Sequence, residues 1–181
     1  MPTILAGTAV TLTDAQVAGD VSVSPGSDLT QTRSTISGDS HVDDSEAAAA
    51  RAEFDAAFSQ LAARAASREL VGTLAGIQLG PGVYRFSAAA TLTGELTLDG
   101  PGERLFLVGA ALTASSFNVA LRGGARAQDV TWRVMAAATL TDCQMAGSIL
   151  AGAAATVTRG SLEGDLWARG AVTVTGGRIG A

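Results

Sequence analysis

The last 51 residues repeat with a period of 17. Residues 131–147 read TWRVMAAATLTDCQMAG, 148–164 read SILAGAAATVTRGSLEG, and 165–181 read DLWARGAVTVTGGRIGA. The ninth and eleventh places are Thr in all three blocks, and the tenth is Leu140, Val157 or Val174. The fifteenth is Met145, Leu162 or Ile179. Helical repeats need roughly thirty residues or more, so this period is too short for them. It fits one coil of a β-solenoid, with short strands joined by tight turns. The alternation in Ala-Val-Thr-Val-Thr is strand-like, with the middle residue inward and the flanking threonines outward.

The same pattern stands far upstream. Residues 9–21, AVTLTDAQVAGDV, align without gaps on 137–149, AATLTDCQMAGSI. Residues 91–98, TLTGELTL, read as a further partial coil, and 105–121 as a longer one. N-terminal and C-terminal segments are therefore expected to build one solenoid. Composition agrees: 47% of residues are apolar but only 4% aromatic, and small side chains suit closely stacked backbones.

Between these segments the pattern changes. Residues 43–70 are Ala-rich and predict a helix, with Asp43 and Glu46 spaced as a capping box. Phe54, Phe58, Leu61 and Ala65 form one apolar stripe, expected to pack lengthwise on a solenoid face. Residues 24–42 are polar and read as loop, and Leu79–Tyr84 (LGPGVY) as a turn feeding a strand.

Charge and chemistry-bearing residues narrow the function. The net charge is −5 and all twelve basic residues are Arg, which argues against a nucleic-acid partner. No stretch of 18 apolar residues predicts a membrane span, and no Arg cluster suggests a membrane surface. The single Cys143 excludes an internal disulfide and shares a column with Gly160 and Gly177, a small-residue turn position. The single His41 excludes a multi-histidine metal site and reads as a polar loop residue. The Gly-Asp pairs at 19–20, 38–39 and 164–165 lie in separate segments and read as turns, not as calcium ligands. No cofactor is expected. Some β-solenoids are polysaccharide lyases or hydrolases, but no pair of carboxylates faces one way from adjacent coils, so no enzyme is expected.

Several stretches together resemble the microbial ice-binding proteins built on a discontinuous β-solenoid. They are LAGTAVTLT near the start, GDVSVSPGS at 19–27, the Ala-rich helix, LGPGVYRF at 79–86 and LTGELTLDGPGERLFLV at 92–108. TWRVMAAATL at 131–140, SILAG at 148–152 and LWARGAVTV near the end complete the set. The resemblance implies a mainly β fold: a right-handed, discontinuous β-solenoid of triangular section with one long helix alongside, filling residues 1–181 as one domain. It implies that the N-terminal coil docks out of sequence order near the later coils. It also implies secretion, although the start of this sequence lacks a basic, then apolar, leader.

The implied function is adsorption to ice by a monomer. The candidate ice-facing residues are Thr11, Thr13, Thr91, Thr93, Thr139, Thr141, Thr156, Thr158, Thr173 and Thr175. The family motif near these strands resembles T-A/G-x-T/N. Here the equivalent places keep only the first Thr and bring in Asp14, Asp142, Arg159 and Arg178. If Asp142, Arg159 and Arg178 line the centre of the face, a surface or adhesion scaffold, weakly active or inactive on ice, becomes the better reading.

Overall fold

The computed structural model describes residues 1–24 and 26–181. Each coil contributes short strands to three sides, and all strand pairing is parallel. On the side that carries the helix, one ladder runs through Ser40–Val42, Val21–Val23, Ile4–Ala6 and Leu166–Ala168. It continues through Ser148–Ala151, Val130–Val134, Arg104–Val108, Gly82–Phe86 and Arg68–Glu69. The other two sides form a second ladder, joined by the long strands Ala90–Asp99 and Leu112–Arg122, which turn the corner.

Coil order departs from chain order, as expected. Ile4–Ala6 pairs with Leu166–Ala168, Val10–Thr13 with Val172–Thr175, and Gln16–Val17 with Arg178–Ile179. The N-terminal coil therefore stacks on the C-terminal one. Residues 24–42 are more than the loop that their polarity suggested. Asp28–Thr32, Thr35–Ile36 and Ser40–Val42 add one further coil beyond the N-terminal one. It is the last of the stack, so Gln31 occupies the place in the inward column that Leu12, Val174, Val157 and Leu140 fill elsewhere. A polar residue there meets solvent on the outer side.

The inward residues make one continuous core. Leu140, Val157 and Val174 are buried and stacked in register, as the alternation required. Toward the other end, Tyr84, Phe106 and Trp132 stack face to face, with Phe106 and Trp132 ring centroids 3.9 Å apart. Cys143 is buried, and a Cβ on neighbouring Gly160 would come within 2.7 Å of the Cys143 carbonyl oxygen. That close approach explains why this column holds only small residues.

The helix is shorter than 43–70; it spans Ser45–Ala62. Asp43 adopts a left-handed φ of 57°, so the cap falls on Asp44, whose carboxylate accepts from the Ala47 N–H. At the other end, Arg68–Glu69 is drawn into a strand beside Tyr84–Arg85, and Leu70 enters the solenoid core. Tertiary pairing outweighs the helix propensity of the Ala-rich run. Phe54 and Phe58 are buried against Leu5, Leu150 and Trp167, while Leu61 is half-buried and Ala65 lies outside the helix, exposed. Asp55 holds both Arg51 and Arg169, tying helix to sheet. Burial alone would raise its pKa, but the two guanidiniums outweigh it and lower it.

His41 is not a loop residue: it sits in the strand Ser40–Val42 and clasps the helix start. Its Nδ1 lies 2.9 Å from Asp44 Oδ2 and its Nε2 3.2 Å from Glu46 Oε2. The hydrogen bond with Asp44 raises the imidazole's pKa, against desolvation, with help from Glu46 and Asp39. A group whose folded pKa is raised stabilises the fold fully below its unfolded value, about 6.5, and that stabilisation disappears as pH rises through the folded value. The imidazole C–H signal, the sole histidine signal in the spectrum, is expected to titrate with a midpoint above about pH 6.5. The Asp44→Asn variant should move that midpoint down, and an unmoved midpoint would refute the clasp.

Candidate functional site

One of the two sides that the helix leaves open carries the threonines. Thr11 pairs with Thr173, Thr173 with Thr156, and Thr156 with Thr139. The column continues through Thr113 to Thr91 at one end and reaches Thr30 at the other. It thus runs unbroken through seven coils: Thr30, Thr11, Thr173, Thr156, Thr139, Thr113 and Thr91.

A second column lies two residues on. It holds Thr32, Thr13, Thr175, Thr158, Thr141 and Ser115 in register. Thr93 does not continue it. It falls where the pairing of Ala90–Asp99 with Leu112–Arg122 shifts, between Leu92 and Gly94, so that Ser115 and Ser116 oppose one residue. Nine of the ten threonines singled out in the sequence therefore fall into these two columns. Thr30, Thr32, Thr113 and Ser115 complete them.

In six of these seven coils a third outward column is alanine, and in the seventh, at 28–42, Asp28 takes the place. Ala9, Ala171, Ala154, Ala137, Ala111 and Ala89 each stand two places before the first-column threonine. Hydrogen bonds between successive coils, such as Ala155 N–H to Ala171 O and Ala138 N–H to Ala154 O, keep them in line. The outward pattern is thus Ala, Thr, Thr, with half-buried or exposed side chains throughout. Successive coils lie about 4.8 Å apart, and residues i and i+2 about 6.5–7 Å apart along a strand.

The charged residues Asp14, Arg33, Asp142 and Arg159 lie at the edge of this surface. Immediately after the second threonine column the chain turns through left-handed backbone. Arg33, Asp14, Gly176, Arg159, Asp142 and Ser116 all have φ between 47° and 61°. Each non-glycine residue held there is strained by roughly 1–2 kcal/mol, which stacking and inter-coil hydrogen bonds overcome. The charges pair along this corner. Arg33 Nε and one terminal nitrogen donate to Asp14 at 2.6 and 2.7 Å, and Arg159 donates likewise to Asp142 at 2.9 and 3.0 Å. Hydrogen bonding to the arginines lowers the pKa of Asp14 and of Asp142. Arg178 belongs to a different side altogether, in register with Gln16 and Ser161.

The sequence did contain a signal for the missed coil. Thr30–Ile36 (TQTRSTI) aligns on Thr11–Val17 (TLTDAQV), with Gln31 in place of Leu12 hiding it. Thr113 is harder to find, because its block reads Leu112-Thr113-Ala114-Ser115, with Ala114 inward where Leu or Val stands elsewhere and Ser in the second outward place. Among the described residues, no group of three His, Cys, Asp or Glu side chains is placed to hold a metal ion. Among them, too, no helix is long and apolar enough to cross a membrane.

Comparison with known proteins gives a consistent result. The ice-binding-like family model matches residues 4–179. An ice-binding protein of Nostoc sp. (strain HG1) is 35% identical over 156 residues, covering 82% of this chain; the match spans 58% of that relative's length. An ice-binding protein from the Antarctic ascomycete Antarctomyces psychrotrophicus superposes with a TM-score of 0.92 at 29% identity, covering 98% of this chain and 92% of that one. One from an Antarctic bacterium of the Flavobacteriaceae gives a TM-score of 0.92 at 30% identity, covering 99% of this chain and 45% of that longer one.

Proposed function

Because this chain belongs to the ice-binding-like family, we propose that it adsorbs to ice through the Ala-Thr-Thr side and so restrains ice growth or recrystallisation. The observation that carries this reading is the register of the two threonine columns across adjacent coils. Each threonine offers a methyl group and a hydroxyl. The methyl sits in a dent of ordered water while the hydroxyl hydrogen-bonds to it. One such contact is weak. A rigid two-column grid makes many at once, with no ordering cost at the moment of binding. The grid spacing comes close to repeat distances in an ice lattice, and the alanine column widens the flat area without adding a charge.

The alternative, a surface or adhesion scaffold without ice activity, needed charge at the centre of the face. The corner position of Asp142 and Arg159, and the removal of Arg178 to another side, favour the ice reading. Their pairing also reduces the hydration that unpaired charges would hold beside the second column. We read residues 1–181 as one such unit, acting outside the cell as a monomer.

The test is thermal hysteresis and recrystallisation inhibition across a concentration series of the purified, folded protein. Activity that rises with concentration, with faceted crystals, is the expected result. Crystals that grow as in buffer at high protein concentration would overturn the proposal.

A further inference from the structure

The helix does not cover the whole of its side. Beyond its C-terminus lies a groove of about 380 Å³, lined by Ala62, Ser87, Leu107, Gly109 and Met135 together with Arg85 and Arg133, while the Phe86 and Val108 side chains beneath it turn into the core. Arg85, Leu107 and Arg133 are cross-strand neighbours in one outward column, so the two guanidiniums flank the Leu107 side chain. Leu107 is nearly buried, whereas Met135, at the rim, is 50% exposed.

The charge here is unmatched. Arg133 is buried; its Nε donates to the Phe58 carbonyl of the helix at 2.8 Å and its guanidinium stacks on the Phe58 ring at 4.1 Å. One terminal nitrogen meets only the Met135 sulfur, at 3.2 Å. Among the described residues, no carboxylate reaches ion-pair distance of Arg133 or Arg85. Glu69 is the strand neighbour of Arg85 but makes no ion pair with it. Burial, then the nearby Arg169 and Arg85, act against the charge on Arg133. In a chain of net charge −5, two guanidiniums without an ion-pair partner beside the Leu107 and Met135 side chains mark a place where an anion lowers the energy.

From this juxtaposition we propose that the groove binds a small organic acid, its carboxylate held by Arg85 and Arg133 and its apolar chain laid against Ala62, Leu107 and Met135. The volume lies at the small end of the range for ligand pockets, about 300–1,000 Å³. A carboxylate receives bidentate donation from guanidinium forks, and such charge-assisted bonds are stronger than neutral ones. The groove lies on the helix-bearing side, so occupancy leaves the threonine columns open.

Octanoate is the probe, and the Met135 methyl signal is the reporter. Met1 and Met145 serve as internal controls, one N-terminal and one buried in the core. Titration with octanoate is expected to shift Met135 saturably. Acetate, with the charge but a minimal chain, and octanol, with the chain but no charge, should leave it nearly unmoved at the same concentration. Arg85→Gln, at a side chain without a hydrogen-bond partner among the described residues, should weaken octanoate binding by about tenfold or more. Its ice activity and melting temperature should stay at the parent's values. No shift with octanoate, equal shifts with acetate or octanol, or undiminished binding by Arg85→Gln would each overturn the proposal.

Discussion

Thr156→Tyr is expected to lower recrystallisation inhibition by about tenfold or more at equal protein concentration, with the fold unchanged. Thr156 is the fourth of the seven threonines in the first column, so it stands at the centre of the surface. Its side chain is half-buried by its neighbours and points outward between Ala155 and Val157, both buried. A phenol ring there stands several ångströms proud of the plane. On the proposed surface it lifts the flanking threonines of the coils on either side away from the ice at the same time, and the proposed adsorption depends on their acting together. Tyrosine is a good strand residue, so the cost to folding is small. The paired measurement is the melting temperature, which should match the parent protein. Thr30→Tyr, at the outermost coil, should lose much less activity, because few neighbours lie beyond it. Full activity in Thr156→Tyr would move the ice-binding surface to another side of the solenoid.

Trp132→Ala should have the largest effect on stability. Trp132 is fully buried and stacks on Phe106 at 3.9 Å with the rings 9° from parallel. Its indole N–H donates to the Ala146 carbonyl at 3.1 Å. Truncation removes the ring, opens a cavity and leaves that carbonyl without its partner. Aromatic-to-alanine changes in cores cost about 3–5 kcal/mol. For a chain of this size that corresponds to a fall in melting temperature of about 6–20 °C. The cavity lies between neighbouring coils whose backbones are held by inter-strand hydrogen bonds, so collapse around it is limited. Trp132→Phe, which keeps a stacking ring, should recover most of the loss. Equal melting temperatures for Trp132→Ala and Trp132→Phe would show that the stack contributes little.

How much of this was legible in the sequence depended on position in the stack. The regular coils at 131–181 announced themselves because each inward place must match the place above and below it, and Leu140, Val157 and Val174 do so. The same logic exposed the N-terminal coil through its near-copy at 137–149. It failed at the outermost coil, where Gln31 has a neighbour on one side only and no longer needs to be apolar. It failed again at the helix end. There the helical pattern runs on past Ala62, but Arg68, Glu69 and Leu70 are claimed by the solenoid. The ten threonines were found because β-strand alternation sets them outward. Whether Thr93 stood in register could not be read, since the bulge beside it arises from the partner strand at Ser115 and Ser116. The placement of Asp142 and Arg159 at a corner also needed the structure. Left-handed backbone at an aspartate or arginine leaves no mark in the sequence comparable to a glycine.

The out-of-order stacking has a consequence for how the chain acquires its shape. Val10 finds its partner Val172 only after 162 further residues have been made. During synthesis the first two coils must wait, apolar edges unsatisfied, while the later coils assemble upon one another. Contacts of such long sequence separation make folding slow, because loop closure precedes any reward from pairing. Once closed, the arrangement reverses that weakness. The strand Leu166–Ala168 lies between Ser148–Ala151 and Ile4–Ala6, so its coil is a keystone with a ladder on both flanks, and fraying of residues 4–6 or 166–179 must first break into the middle of the stack.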